Sequence, residues 1–501
     1  MQQGASASKL PFLRLSSGSK ESRTPSAKTL HAVLLPYNTN GQFNIRSANY
    51  VFKKDVQKSN GVLSKETSFL KAATMLKNAF KYDESYVHVI HAMATWKNSG
   101  RFAQTSIFPY ATLEDIIYQT VNECKKRFEL NFEDPYVRDR EGSKTLIWYM
   151  TNYGYYLRLD LRGKRVVVIG DTHGSLHSLV EILEDLDKKE IFQPQNKNLI
   201  ADDVHVVVLG DIMDRSPYAL ECMWLFLRLY TLNPQKVTLL GGNHEMDAEY
   251  QWRRANGSMN EIEGEYAPNN QSEQLHRQIA SMFTHFPHSL IADTDIGLVQ
   301  FNHGGVELNA KDKNRIGKFR EFCGQNPTHN NINFGSLMMV RKENPLVWAD
   351  VGSRRHLGKT KWHREIILDD DLKEYLDTFG IQLLIRGHSD LANLSLLYSD
   401  DSDDTSSLSS FPTDNEKKHN GTFQIGEEDN HYPMHTFVPY NSARESRIQV
   451  PFRVGTKNDD GGGGGSSSNN SHRLLAVTTS TAVFSKPNRK FQSMSSYLIL
   501  E

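Results

Sequence analysis

Along this chain apolar runs repeatedly stop at a glycine followed by a polar turn. "YYLRLDLRGKRVVVIGDTHG" alternates apolar and polar residues, turns at "RGK", then enters a β-branched run of the kind buried on both faces of a sheet. Further strands are predicted at "VHVVVLG" (204–210), "VTLLGG" (237–242), "GLVQFNHGG" (297–305), "IQLLIRGH" (381–388) and "LLAVTTS" (474–480). Helical patterns separate several of them, as where Leu176, Leu179, Val180, Leu183 and Leu186 recur on one face. Strands alternating with helices predict an α/β layered domain over 151–398.

Upstream, Phe69, Ala72, Ala73, Leu76 and Phe80 fall at helical spacing. Thr112 and Asp115 make a capping-box pattern ahead of Ile116, Ile117, Val121, Cys124 and Phe128. Residues 46–150 therefore read as a mostly helical accessory region, either targeting the chain to a partner or covering a face of the main domain. Residues 1–45 are rich in Ser and carry Lys9, Arg14, Lys20, Arg23 and Lys28 against the single acid Glu21. They read as a flexible arm, with a transit peptide or docking arm as the alternative.

Downstream, "SDDSDDTSSLSS" and "NDDGGGGGSSSNNS" frame a low-complexity insertion over 399–472. Its middle, "HYPMHTFVPYNSARESRIQVPFRV", holds enough aromatics for a docked strand or a substrate-facing loop. "RLLAVTTSTAVF" and "SSYLILE" then regain strand character, so 473–501 is expected to return to the sheet and complete the main domain.

Composition narrows the function classes. With 501 residues and 38% hydrophobic content, the chain has room for two or more domains and for segments outside any core. Its 58 basic and 59 acidic residues give a net charge of −1, which supplies no overall field for nucleic acid or membrane. Cys124, Cys222 and Cys323 are far apart, against both a disulfide framework and a cysteine-based zinc site. No run approaches a membrane helix and the start lacks a secretory apolar core, so the expected setting is a soluble protein in a reducing, cytoplasmic compartment.

The chemistry sits where the strands end. "GDTHG" offers Asp171 and His173, "GDIMDRS" offers Asp211, Asp214 and Arg215, "GGNHEMD" offers Asn243 and His244, "FNHGG" offers His303, and "IRGHSD" offers His388. In open α/β sheets, ligands gather at the carboxyl ends of strands, so these five tips are expected to converge. Any one turn alone is as well read as an Asp-Gly turn or a satisfied histidine; the ordered set is not. Asp171, His173, Asp211, Asn243, His303 and His388 are oxygen and imidazole donors without thiolate, suited to manganese, zinc or iron. Six such groups can hold two divalent ions if one carboxylate bridges. Such a pair can clamp the attacking and leaving oxygens of a phosphoryl transfer, which makes phosphoester hydrolysis the leading chemistry.

As an ordered set these motifs resemble the PPP phosphoprotein phosphatases, whose signature is GDxHG, GDxxDRG, GNHE, HGG and a late Arg-Ala/Gly-His. The resemblance spans roughly 161–396 and resumes faintly at the C-terminus. It implies a calcineurin-like metallophosphoesterase fold, a layered β-sandwich flanked by helices. By that similarity Asp171 and His173 would bind one ion, Asp211 would bridge, and Asn243, His303 and His388 would bind the second, manganese first and iron or zinc as alternatives. It also implies a metal-activated hydroxide as nucleophile, His244 as general acid oriented by Asp214, and Arg215 as the phosphate clamp. The implied substrate is a phosphorylated protein, at serine or threonine with tyrosine as an alternative.

Several positions depart from the family. Ser216 replaces the glycine of DRG, "HGGVE" replaces HGGLSP, and "PLVWADVGSRRH" matches the Trp-Ser-Asp segment only in part, leaving Arg354 and Arg355 as candidates for a second clamp. "FSKPNRKF" stands near the place of the usual tyrosine-bearing segment. Two other functions stay open on the residues: a hydrolase of nucleotides or dinucleoside polyphosphates, and a scaffold that has lost catalysis. The extra N-terminal helices and polar insertions also resemble phosphatases of this family that intracellular bacteria deliver into host cells as effectors.

Overall fold

A computed structural model of the chain describes residues 29–34, 67–79, 108–128, 155–214, 218–246, 262, 271–307, 313–324, 331–333, 344–352, 366–388, 394–398, 424–425, 435–438, 444–449, 474–481 and 496–501. Among these, two large sheets carry the fold. The first has six strands in the order Arg444–Gln449, Thr29–Leu34, Ser496–Leu500, Arg165–Ile169, Val204–Val208 and Val237–Leu239. The second has nine, in the order Asn331–Asn333, Tyr155–Asp160, Ser289–Thr294, Gly297–Asn302, Ile381–Arg386, Leu474–Thr479, Leu394–Tyr398, His435–Val438 and Gln424–Ile425.

Strand direction decides where the turns go. In the first sheet Arg165–Ile169, Val204–Val208 and Val237–Leu239 run parallel, so the turns that follow them emerge on one edge. In the second, Ile381–Arg386 runs parallel to both Gly297–Asn302 and Leu474–Thr479. A bridge between Asp171 and Ser480 ties the carboxyl ends of the two sheets together. Helices Leu176–Lys188 and Ala219–Leu232 each follow one of the parallel strands, as the right-handed crossover of a βαβ unit requires.

One apolar cluster draws from both sheets, taking Val166, Val167, Val168 and Ile169 from the first and Val299, Phe301, Leu383, Ile385 and Val477 from the second. The neighbouring residues Ile381, Leu384, Leu475 and Ala476 belong to a second cluster with Phe319, Phe322, Leu372 and Leu376 of helices Lys313–Cys323 and Asp369–Phe379. The two-residue alternation of strands thus fills cores on both faces of the second sheet at Ile381–Arg386 and Leu474–Thr479, which accounts for the apolar runs in those two strands. This is the mixed α/β layered sandwich the sequence predicts.

The described accessory helices, Phe69–Ala79 and Tyr110–Phe128, join the first cluster through Phe69, Ala72, Leu76, Leu113, Ile116 and Ile117. Helix Ala219–Leu232 is apolar almost all round, with Trp224, Phe226 and Leu227 buried, so it needs cover on its outer side as well. Phe108 stacks on Trp224 at 5.1 Å, Arg228 donates to the Thr67 carbonyl at 2.8 Å, and Lys77 pairs with Glu184 at 3.0 Å. Of the two expectations for these helices, covering a face of the main domain is the one the packing displays.

Two local expectations change, and one of two open options is taken up. The helix begins at Tyr110, after Pro109, so Thr112 lies inside its first turn rather than at the cap, and Asp115 accepts from Gln119 Nε2 at 2.9 Å. Within the expected arm 1–45, Thr29–Leu34 is a strand paired on both sides, because "TLHAVL" is an apolar run hidden in polar surroundings. Within the expected insertion 399–472, His435–Val438 and Arg444–Gln449 are sheet strands, the docked-strand option for its middle. The two low-complexity runs lie outside the described residues. Among those described, no helix is long and apolar enough to cross a membrane.

Candidate metal centre

The five turns converge, and Asp211 stands at their centre. Its Oδ2 lies 3.5 Å from His173 Nε2, 3.2 Å from His303 Nε2 and 3.9 Å from His244 Nε2. His303 Nε2 is also 2.9 Å from Asn243 Oδ1 and 3.1 Å from His388 Nδ1. Two three-residue groups with metal-ligand geometry result, His173 with Asp211 and His244, and Asp211 with His303 and His388. Asp211 belongs to both. Asp171 sits beside the second group, where its Oδ1 accepts the His388 backbone N–H at 3.0 Å and lies 3.6 Å from His303 Nδ1.

Backbone geometry produces this crowding. His173, Asp211, Asp214 and His388 all have positive φ, at 46°, 50°, 68° and 60°. Such conformations are costly for residues with side chains and persist where the surroundings fix them, which is common at functional sites. Gly210, at φ 97°, packs its Cα side directly against the backbone of Gly242, where any Cβ would overlap. Gly387 likewise leaves the space that Asp171 Oδ1 uses.

Ring orientation identifies what the pocket suits. His173 Nδ1 is 3.1 Å from the Met213 carbonyl and His303 Nδ1 is 3.1 Å from the Leu209 carbonyl. A carbonyl only accepts, so each Nδ1 carries the proton, and in the neutral ring each Nε2 presents a lone pair toward Asp211. Lone pairs of imidazole, carboxylate and amide oxygen thus face one another in a buried space. That donor set fits a divalent cation.

The same crowding governs charge. Burial by itself raises the Asp211 carboxyl, yet His303 and His244 hold it well below its ordinary value. Burial lowers the His303 imidazole, but Asp211 and Asp171 overcome this and push it up to about 9. Without a cation the His303 ring would therefore carry a second proton at Nε2, and an ion bound there would take that proton's place.

His244 stands apart from the other rings in its partner. Its Nδ1 is 2.6 Å from Asp214 Oδ2, its backbone N–H donates to Asp211 Oδ1 at 3.0 Å, and its ring packs edge-on against His173 at 4.8 Å. Arg215, Ser216, Arg354 and Arg355 lie outside the described residues. Two features went unread in the sequence. Glu245, in the same turn as His244, accepts three backbone N–H groups, and buried Arg386 donates to the Gly304 carbonyl at 2.9 Å and pairs with Asp350 at 3.2 Å, bracing the His303 turn. Their place inside the motifs, one residue after His244 and two before His388, was the available signal.

Comparison with known proteins agrees with this geometry. The calcineurin-like phosphoesterase family profile matches residues 164–390. Residues 164–390 are thus similar to that family. A probable serine/threonine-protein phosphatase of Encephalitozoon cuniculi is 25% identical over 44% of this chain and 42% of its own length. Serine/threonine-protein phosphatase 7 of Arabidopsis thaliana is 26% identical over 44% of this chain and 54% of its own. The chain therefore spans about half the length of these relatives. Among solved structures, a Saccharomyces cerevisiae protein serine/threonine phosphatase with similarity to human phosphatase PP5 aligns with a TM-score of 0.39 at 15% identity, over 57% of this chain and 73% of that one. The matched stretch spans all five turns, and the family it resembles implies divalent metal.

Proposed function

We propose that this chain is a metal-dependent phosphoprotein phosphatase that hydrolyses phosphomonoesters of serine and threonine, with tyrosine as the alternative side chain. The observation that carries the reading is Asp211 shared between two histidine groups, one of which includes His244, whose ring is held against Asp214 at 2.6 Å. Asp171, His173, Asp211, Asn243, His303 and His388 would hold two divalent ions, manganese first. When bound, such ions supply Lewis acidity at the phosphoryl oxygens and lower the pKa of an attacking water.

The chain's own residues do the rest. Asp214 accepts from His244 Nδ1 and so fixes the ring's tautomer and orientation, leaving Nε2 to carry the proton delivered to the departing oxygen. Arg215, adjacent to Asp214 in sequence, is the clamp on phosphate oxygens in this reading, a role its planar fork suits. His173 and His303 keep their orientations through carbonyls at 3.1 Å, so their outer nitrogens stay aimed at Asp211.

In this reading the catalytic unit covers 151–398 and is completed by 473–501, with 46–150 as its helical cover, and with the arm 1–45 and the insertion 399–472 both lending strands to the sheets. Cys124, Cys222 and Cys323, buried and not disulfide-bonded, support a reducing compartment such as the cytoplasm. The effector reading, with delivery into a host cell, draws on the N-terminal helices and the polar insertions, and the helices' packing on the catalytic domain supports cover over targeting.

The deciding experiment is metal analysis of the purified chain joined to a panel of phosphopeptides, mononucleotides and dinucleoside polyphosphates. The expected result is about two manganese ions per chain and phosphopeptide turnover that Asp211→Ala abolishes together with metal binding. Nucleotide hydrolysis without phosphopeptide hydrolysis would replace this reading.

A further inference from the structure

Glu245 has no part in the hydrolysis just described, yet it is 3% exposed and its carboxylate is fully engaged with backbone. Oε2 accepts the N–H of Asp211 at 2.7 Å and the N–H of Gly242 at 2.9 Å, while Oε1 accepts the N–H of Ile212 at 3.0 Å. Asp211 and Ile212 belong to the turn after Val204–Val208. Gly242 belongs to the turn after Val237–Leu239 and immediately precedes Asn243. One side chain therefore links two turns from neighbouring strands, and each turn carries a ligand of the candidate metal centre.

We propose that Glu245 is a positioning residue that locks the Asp211 turn to the Asn243 turn and so sets the spacing of the ligands they carry. Three observations converge on this. The Asp211 backbone is held at φ 50° directly after Gly210 at φ 97°, a conformation that only outside restraint maintains. Glu245 supplies that restraint at two consecutive N–H groups. The turns also meet backbone to backbone at Gly210 and Gly242, where even a methyl group would overlap, so their separation is set on a scale no flexible side chain can absorb. Finally, His244 donates its own N–H to Asp211 Oδ1 at 3.0 Å, so the carboxylate that both histidine groups share is oriented from the same short segment that holds its backbone.

The requirement is for a carboxylate and not merely for bulk. A carboxylate is acceptor-only, with lone pairs enough for three N–H groups across two oxygens. Glutamine has the same shape but turns one oxygen into a donor, which would face either Ile212 N–H or the pair from Asp211 and Gly242. The turns would have to separate. Aspartate keeps the charge but falls one methylene short of reaching both.

The inference deepens the phosphatase reading and rests on it for the consequence in metal affinity. Its geometric core does not depend on that reading. The test compares wild type, Glu245→Gln and Glu245→Asp by hydrogen exchange without metal, by Mn²⁺ affinity in competition with a chromophoric chelator, and by steady-state kinetics. In metal-free protein, Glu245→Gln is expected to speed exchange in peptides covering 209–212 and 240–246 by about tenfold or more. Mn²⁺ affinity is expected to fall about 10- to 100-fold, the scale for losing a group that orients ligands. At saturating Mn²⁺, turnover should recover to within a few-fold of wild type with the KM for the ester unchanged, and Glu245→Asp should lie between. Exchange in those peptides matching wild type would overturn the proposal, as would a lowered melting temperature with unchanged Mn²⁺ affinity in the folded protein. A wild type that binds no Mn²⁺ would end the phosphatase reading instead, and the metal-free exchange comparison would still decide whether Glu245 locks the turns.

Discussion

His244 Nδ1 lies 2.6 Å from Asp214 Oδ2, both side chains are buried, and each comes from a turn that also supplies a candidate metal ligand. A ring so held can present only Nε2 to a departing oxygen. Replacing His244 with alanine is expected to lower turnover of an alkyl phosphate by about 100- to 10,000-fold, the range for losing general acid catalysis. Bound metal should stay near the wild-type amount. The defect should shrink for an aryl phosphate, whose leaving group needs less protonation, and Asp214→Asn should follow the same leaving-group pattern through loss of the ring's orientation. Equal losses on alkyl and aryl esters would remove His244 from the acid role.

Thiol chemistry offers an independent check on the ligand set. Cys124, Cys222 and Cys323 are buried and not disulfide-bonded, and burial pushes the Cys323 thiol up to about 12, so little Cys323 thiolate exists near neutral pH. The six proposed ligands contain no sulfur. Phosphatase activity is therefore expected to survive N-ethylmaleimide treatment of the folded protein, to vanish on exhaustive chelation, and to return with added Mn²⁺. Activity that persists in a demonstrably metal-free sample would refute the metal-dependent mechanism.

Most of the framework of the candidate site is legible because its signals are local. Strand periodicity ended in Asp171, Asp211, Asn243, His303 and His388, and parallel pairing of the strands behind them brought the turns together. What stayed hidden is non-local or conformational. Leu30 pairs with Leu500 and Ile448, a contact between the two ends of the chain that no window of sequence reveals. The left-handed backbone at Asp211 and His388 is equally invisible, since neither residue is glycine. Nor could spacing show that Asp171 would accept the His388 backbone N–H, because that depends on how the two sheets meet at Ser480.

The C-terminal strands are interior members of their sheets. Leu474–Thr479 lies between Ile381–Arg386 and Leu394–Tyr398, and Ser496–Leu500 lies between Thr29–Leu34 and Arg165–Ile169. Ending the chain at residue 472 would strip hydrogen-bond partners from four strands and open both cores, where Leu475, Val477, Tyr497 and Leu498 are almost fully buried. Global stability of ordinary domains is only about 5–15 kcal/mol, which cannot absorb that loss. The truncated chain is expected to lack a cooperative thermal transition and to be inactive. Shortening only the two low-complexity runs should leave melting and turnover near wild type. A stable, active protein ending at 472 would show that these strands are dispensable.

Acid stability should depend on His288, which lies outside the metal centre. It is 3% exposed, and burial pushes its imidazole down to about 4, against about 6.5 for the same ring in an unfolded chain. The folded protein thus holds this ring neutral while the unfolded chain takes up a proton, so stability falls as pH drops from about 6.5 to about 4 and is lost no further below that. For a single group the shift corresponds to a contribution on the order of 3 kcal/mol, present in full above pH 6.5. Replacing His288 with asparagine, which cannot titrate in this range, is expected to flatten the pH dependence of unfolding across that window relative to wild type. The check is urea denaturation of both proteins at intervals from pH 7 to pH 4. Parallel curves for the two proteins would assign the acid sensitivity to other groups.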